Sequence, residues 1–380
     1  MMFFAVGNRF YKLITVLSIV GEYPMCSMEL FGNKREYKKV VRNLTDIQTI
    51  RNSNTKEEII CRVINVSGRG KMKTIRLNRN ALVLLDWISK ESFVYYMAAY
   101  NKSKFTGNEK NIRRNHRVAE SVCMLMTAGA NVIPYELYPL QNKELRRAMP
   151  DAPSFYLARD IKRIGGNEMN KTMFTRLTGA LFSYGRCYAV YNTRDSVMKW
   201  SGMGEIKTVN NLTEICRYNS NIKSVDSAIL MSDSFDKAMD TIIKSEKQKK
   251  YELRFDTVYN HIYFVPLDEY GIRQLKIMLL PDWNERLSDM LFGDAYVRPE
   301  DRVFEFDAYI DDKYIFSFLD GDIARLIRFK ELVMSDDSRT YEIVCFSHQV
   351  EDVRRNMDDK CLYKTISMES IEKVMSEVVD

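Results

Sequence analysis

Between Cys26 and Asn78 the chain runs through a short helical segment, a strongly basic helix and a hairpin, and that order leaves few folds open. Met25 to Phe31 has helical spacing and stops at Gly32. Asn33 is an N-cap for a helix whose apolar positions are Tyr37, Val40, Val41 and Leu44. Lys34, Arg35, Lys38, Lys39 and Arg42 occupy its remaining faces. Ile59 to Val66 and Met72 to Leu77 read as two strands about the turn Ser67-Gly68-Arg69-Gly70, with Arg69, Lys71 and Lys73 at or near its tip.

This is the order of a winged helix-turn-helix, in which the third helix enters the major groove and the wing touches flanking phosphates. Double-stranded DNA is the partner it points to. A basic solvated helix beside an ordinary hairpin, or a winged module that docks on protein, are the other readings of the same residues.

Charge is distributed to match. Residues 1 to 150 carry 25 Lys/Arg against 12 Asp/Glu, whereas residues 151 to 380 carry 32 against 39. A concentrated basic field draws polyanions by releasing their condensed counterions, and a membrane surface would accept the same field.

Leu13 to Val20 is apolar, but the run is short and lacks a following small-residue cleavage site. A cytoplasmic protein with no membrane partner is expected. The seven cysteines are scattered and never form CxxC, so neither a disulfide framework nor a zinc ribbon is indicated.

Further along, Ala81 to Ala99 reads as a helix that closes an N-terminal domain of residues 1–100. After a polar connector comes a helix over Asn111 to Ala128, opening with Arg113, Arg114, His116 and Arg117, which extend the basic face. Strands are expected at Phe155 to Ile161, Leu177 to Ser183 and Cys187 to Asn192, then a helix over Glu205 to Tyr218 and a strand at Ala228 to Met231. Helix, three strands, helix, strand is the order of a restriction-endonuclease-like mixed α/β domain, here over 111–235. Alternating strands and helices continue through 236–380 as a C-terminal α/β extension. The fold class is therefore α/β (α+β).

Metal-dependent nucleases show Pro-Asp, a gap, then acidic-x-Lys, because carboxylates must hold Mg²⁺ beside a charge-stabilising lysine. Pro150-Asp151 precedes Asp160-Ile161-Lys162, with Glu120 on the helix before. Asp151 and Asp160 would then be metal ligands, with surface ion pairs as the bland alternative. A second acidic-x-Lys, Glu205-Ile206-Lys207, falls where a helix is expected. Asp320 and Asp322 form another carboxylate pair after a strand; a hard cation or a helix N-cap would each explain Asp322. His116 reads as a packing residue or phosphate contact before a general base. No Walker loop, dinucleotide fingerprint or nucleophile elbow is present.

Several short motifs resemble the replication-relaxation family of plasmids and conjugative elements, itself similar to MobC-type mobilisation relaxases. They are Asn115-His116-Arg117-Val118-Ala119-Glu120, Pro150-Asp151-Ala152, Phe155 to Lys162, Arg176-Leu177-Thr178-Gly179, Tyr191-Asn192-Thr193 and Met198-Lys199-Trp200. The resemblance implies origin or operator binding, other mobilisation or replication proteins as partners and, for the relaxases, Mg²⁺-dependent nicking. The strand at Cys187 to Asn192 departs from that pattern, with Tyr188, Val190 and Tyr191 where carboxylates are wanted.

Overall fold

A computed structural model describes residues 1–100, 108–138, 140, 152–164, 176–198, 203–217, 222, 224–247, 258–301, 304–357 and 360–377. The chain is mixed α/β and builds several small sheets around shared helices.

The N-terminal part comprises β1 (Met2–Phe4), α1 (Arg9–Val20), β2 (Glu22–Pro24), a 3₁₀ segment (Met25–Phe31), α2 (Lys34–Thr45), β3 (Ile47–Asn52), β4 (Glu58–Arg62), β5 (Ile64–Ser67) and β6 (Thr74–Leu77). The apolar run Leu13 to Val20 is most of α1. Asn8 caps it by accepting from the Tyr11 N–H at 2.7 Å, and Leu13, Ile14, Val16, Leu17 and Ile19 are buried on every side, as in a central core helix. α2 starts where its cap demands, with Asn33 Oδ1 accepting from the Arg35 and Glu36 amides, and it buries Tyr37, Val41 and Leu44.

One expected strand is in fact two. Ile59 to Val66 kinks at Val63, so β4 pairs with β3 while β5 pairs with β6. The Val63 amide donates to Leu44 O at 3.0 Å and leaves the ladder there. Two three-stranded sheets result, ordered β1-β3-β4 and β2-β6-β5.

α3 (Val83–Ile88) and α4 (Lys90–Tyr100) divide at Ser89 the helix expected over Ala81 to Ala99. α5 (Glu109–Ala128) then lies between the N-terminal part and the sheet that follows, burying Ala119, Val122, Cys123, Met124 and Leu125.

That sheet contains β7 (Ser154–Leu157), β8 (Leu177–Ser183), β9 (Arg186–Arg194), β10 (Ser224–Ser232) and β11 (His261–Pro266), in the order β11-β10-β9-β8-β7. β9, β10 and β11 are parallel, and β8 runs antiparallel to both its neighbours, β7 and β9. Its alternation divides two cores. Leu181, Tyr188, Val190, Ile229 and Val265 face α5 and the N-terminal part, whereas Ala180, Phe182, Ala189, Leu230 and Phe264 face α6 (Ala158–Ile164), α7 (Met203–Arg217) and α8 (Phe235–Lys247). The strand expected over Phe155 to Ile161 ends at Leu157, and α6 follows it. The order is thus helix, strand, helix, two strands, helix, strand. The sheet also takes β11 from beyond residue 235.

α9 (Glu269–Met278) and α10 (Trp283–Phe292) lead to β12 (Ala308–Ile310), β13 (Lys313–Ser317), α11 (Ile323–Ser335), β14 (Thr340–Phe346), α12 (Val350–Met357), β15 (Cys361–Ile366) and α13 (Met368–Glu377). Their four-stranded sheet is spliced to the first by the Tyr263↔Asp322 bridge and by Phe264 N–H donating to Gly321 O at 2.8 Å. Gly321 has φ +72°, and a Cβ there would stand 2.8 Å from Phe264 O, so the splice needs glycine. No helix among the described residues is long and apolar enough to cross a membrane.

Candidate nucleic-acid interface

α2 and the hairpin β5–β6 form the two walls of a groove of about 660 Å³, lined by Met25, Lys38, Val41, Arg42, Val66 and Lys73 among others. Arg35, Lys38 and Arg42 follow one another at helical spacing on the exposed side of α2, with Lys39 beside them. None of these four has a carboxylate within ion-pair distance among the described residues. Lys34 differs, because its Nζ stands 2.5 Å from Glu29 Oε2.

On the opposite wall, Gly68 makes the turn at φ +76°; a Cβ on it would lie 2.4 Å from Met72 O. This tight turn carries exposed Arg69, Lys71 and Lys73. The Met25 amide donates to Lys73 O at 2.8 Å, which sets the hairpin against the 3₁₀ segment. Lys71 is partly neutralised by Asp195, whose Oδ2 is 3.3 Å away.

Behind the groove lies a buried polar seam, and the motif residues Asn115 to Glu120 form much of it. Glu22, opposite Arg76 in the β2–β6 ladder, accepts from Arg76 Nε at 2.7 Å and from Asn115 Nδ2 at 2.6 Å. Glu120 Oε1 accepts from Ser27 Oγ at 2.6 Å; its Oε2 faces Arg194 Nε at 3.0 Å and Asn192 Nδ2 at 3.3 Å. Burial pushes the Glu120 carboxyl up against the opposing pull of Arg194.

His116 is enclosed in the same seam. Arginine can only donate, so Arg194 Nη1, 3.2 Å from His116 Nδ1, fixes that nitrogen as an acceptor. The proton therefore sits on Nε2 and is donated to Thr74 Oγ at 2.8 Å, while the Thr74 hydroxyl donates to Met72 O. Burial, followed by Arg194, Arg76, Arg113 and Arg117, lowers the His116 pKa to about 3. Neutral imidazole thus ties a strand of the hairpin to the end of β9.

The cations expected at the start of α5 have three distinct settings. Arg113 bonds Glu109 at 2.8 Å and faces Asp195 at 3.8 Å. Arg114 is exposed. Arg117 is half-buried, and desolvation together with Arg176, Arg194 and Arg114 lowers its pKa to about 10. Asn192 joins Arg117 and Arg176 through their main chains, donating Nδ2–H to Arg117 O and N–H to Arg176 O. Arg176 and Arg194 were missing from the sequence-based set. The sequence signals for them were that Arg176 opens the Arg-Leu-Thr-Gly motif and that Arg194 directly follows Tyr-Asn-Thr.

The expected nuclease residues that the structure describes lie on two helices, Glu120 on α5 and Asp160 and Lys162 on α6. Asp160 and Lys162 lie on α6, two residues apart and therefore on different faces, instead of on a strand. Glu120 is committed to Ser27, Asn192 and Arg194. Asp151 lies outside the described residues. Among the described residues no group of three or more His, Cys, Asp or Glu is placed to hold a metal ion.

The alternative pair, Asp320 and Asp322, is also committed. Asp322 Oδ1 accepts from the Ile262, Ala324 and Arg325 amides, and Oδ2 is 2.7 Å from His261 Nδ1. It is the N-cap of α11. Asp320 accepts from the Asp322 amide at 2.9 Å and faces the buried Arg325 at 3.5 Å. Glu205 lies on α7, as its spacing indicated.

No protein-family model, curated protein or solved structure matches the chain.

Proposed function

We propose that this chain binds double-stranded DNA through an N-terminal winged helix-turn-helix, with α2 as the recognition helix and the β5–β6 hairpin as the wing. The observation that carries this reading is the row of exposed, carboxylate-free cations Arg35, Lys38, Lys39 and Arg42 facing a hairpin that bears Arg69 and Lys73. Element order supports it as well: α1, β2, the 3₁₀ segment, α2, β5 and β6 in sequence, with β6 central in its sheet. A groove of this shape and charge admits a phosphate backbone on both walls. β3 and β4 are an insertion between recognition helix and wing.

The resemblance to replication-relaxation proteins adds a setting, namely an origin or operator of a plasmid or conjugative element in the cytoplasm. Within that reading the five-stranded sheet is a scaffold of nuclease-like ancestry, and the seam of Glu120, His116 and Arg194 holds the DNA-binding unit on it. No specific observation favours the Mg²⁺-dependent nicking alternative.

The test is retardation of a double-stranded fragment selected from a random pool on the wild-type protein. Arg35→Glu, Lys38→Glu and Lys39→Glu combined should abolish binding, with the protein's melting curve unchanged. Undiminished binding would overturn the assignment of α2. Failure of the wild type to select any fragment would favour a protein-docking module.

A further inference from the structure

We propose that a second copy of this chain pairs with β4 across a two-fold axis at Ile60, joining the two β1-β3-β4 sheets into one continuous sheet. β4 is the last strand of its sheet, with β3 on one side only. In an antiparallel ladder, residues alternate between aiming both backbone groups at the partner strand and aiming both away. The Asn52 amide donates to Glu57 O at 2.9 Å, so Glu57, Ile59 and Cys61 face β3. Glu58, Ile60 and Arg62 therefore aim their N–H and C=O groups at the open edge.

That edge is complementary to itself. Antiparallel pairing centred on Ile60 sets Glu58 opposite Arg62 of the other copy, and Arg62 opposite its Glu58. All three pairs are then of the hydrogen-bonding kind that the open edge requires. A register shift in either direction loses both charge pairs. Unrelated strands have no reason to present this Glu-x-Ile-x-Arg pattern in reverse, and an isologous contact needs only one such patch.

The outward face of the same sheet is unusually apolar for an exposed surface. Ile60 is 73% exposed, Ile47 67% and Phe3 55%. Cross-strand register places Thr49 beside Ile60 and Ile47 beside Arg62, all on one face, with Phe3 beside Arg51. Two-fold pairing would bring the two Ile60 side chains together at the centre of this face. Glu58 now makes only a 3.6 Å contact with Arg51, and pairing would give it a second arginine. Exposed edge strands are association sites unless blocked, and among the described residues no other strand covers this one.

The contact is small, so dimerisation should depend on concentration. Sedimentation velocity of the full chain without DNA, over a wide concentration range, should show monomer passing to dimer. Glu58→Arg and Arg62→Glu singly should each weaken the dimer about tenfold, since like charges then face one another twice. The double variant Glu58→Arg/Arg62→Glu should restore it. Ile60→Cys should also be cross-linked between copies by a short bis-maleimide, with the wild type as control. A wild type that stays monomeric at every concentration would overturn the proposal. So would a dimer indifferent to the single reversals, or a double variant as weak as either single. Because no DNA is present, the outcome is independent of the binding function proposed above.

Discussion

Arg194 Nε stands 3.0 Å from Glu120 Oε2, and both side chains are almost wholly removed from water. The arginine comes from the end of a sheet strand, and the glutamate from the helix that also packs on the N-terminal part. Ser27 and Asn192 complete the carboxylate's hydrogen bonds, so its charge is neutralised and solvated from within. Such a pair contributes little relative to an apolar substitute, but half of it is costly. Arg194→Met should therefore destabilise the protein by about 3–5 kcal/mol. Arg194→Met/Glu120→Leu together should recover most of the loss. Urea unfolding followed by tryptophan fluorescence measures both.

His116 gives that seam a pH limit. Its pKa is lowered to about 3, whereas an unfolded histidine titrates near 6.5. Below about pH 6.5 the unfolded state gains a proton that the folded state refuses, so this group removes stability as pH falls towards its folded pKa. Each pH unit in that window should cost about 1.4 kcal/mol. His116→Gln, which can still donate to Thr74, should show a shallower decline between pH 6.5 and 5 in the same unfolding assay. Equal slopes would show that His116 titrates normally.

Much of the groove was legible in sequence because it rests on local signals. The Asn33 cap, the Tyr37, Val41 and Leu44 stripe and the Gly68 turn each act within a few residues, and each element formed where they placed it. The strand over Phe155 to Ile161 failed for a physical reason. Its apolar spacing changes at Leu157 from two to three or four, through Ala158 and Ile161, and short apolar runs do not disclose which period applies. Glu120 and Asp160 looked like catalytic partners because acidic residues near Lys and Pro are all that a linear motif shows. The three-dimensional neighbours of Glu120 were not legible there: Arg194, 74 residues along the chain, pairs with it. The kink at Val63 was hidden as well, since it depends on a hydrogen bond to Leu44 in a helix already passed.

The junction of the two larger sheets has its own titration. His261 Nδ1 and Asp322 Oδ2 are 2.7 Å apart. Burial alone would lower the histidine, but its bond to Asp322 and the aspartate's charge raise it above 6.5. Burial likewise opposes ionisation of Asp322, yet His261 and Arg325 hold it below 3.8. The sign follows for each group. The histidine's contribution is complete below 6.5 and lost as pH rises through its raised value; the aspartate's is complete above 3.8 and lost as pH falls. The pair should thus stabilise most between these limits. His261→Gln should lower stability by about 1–3 kcal/mol at pH 6 and by less at pH 8.5. A loss that grows with pH would contradict this assignment.

Asp195 provides the sharpest test of the proposed contact between the β5–β6 hairpin and DNA. It holds Lys71 at 3.3 Å and Arg113 at 3.8 Å, so in the free protein it competes with phosphate for two cations. Its own carboxyl is kept below the usual range, against the effect of burial, by Lys71, Arg194 and Arg113. Neutralising it releases Lys71 without adding a contact, while Arg113 keeps its bond to Glu109. Asp195→Asn should tighten binding and steepen the dependence of log K on log salt by about one. Lys73 has no carboxylate partner among the described residues, so Lys73→Ala should reduce that slope by about one in the wild type. Lys71→Ala should do little in the wild type but approach the Lys73→Ala effect in the Asp195→Asn background. Fluorescence anisotropy across a salt series reads all four. If Lys71→Ala weakens binding equally in both backgrounds, Asp195 does not restrain the wing, and the ion pair is incidental to recognition.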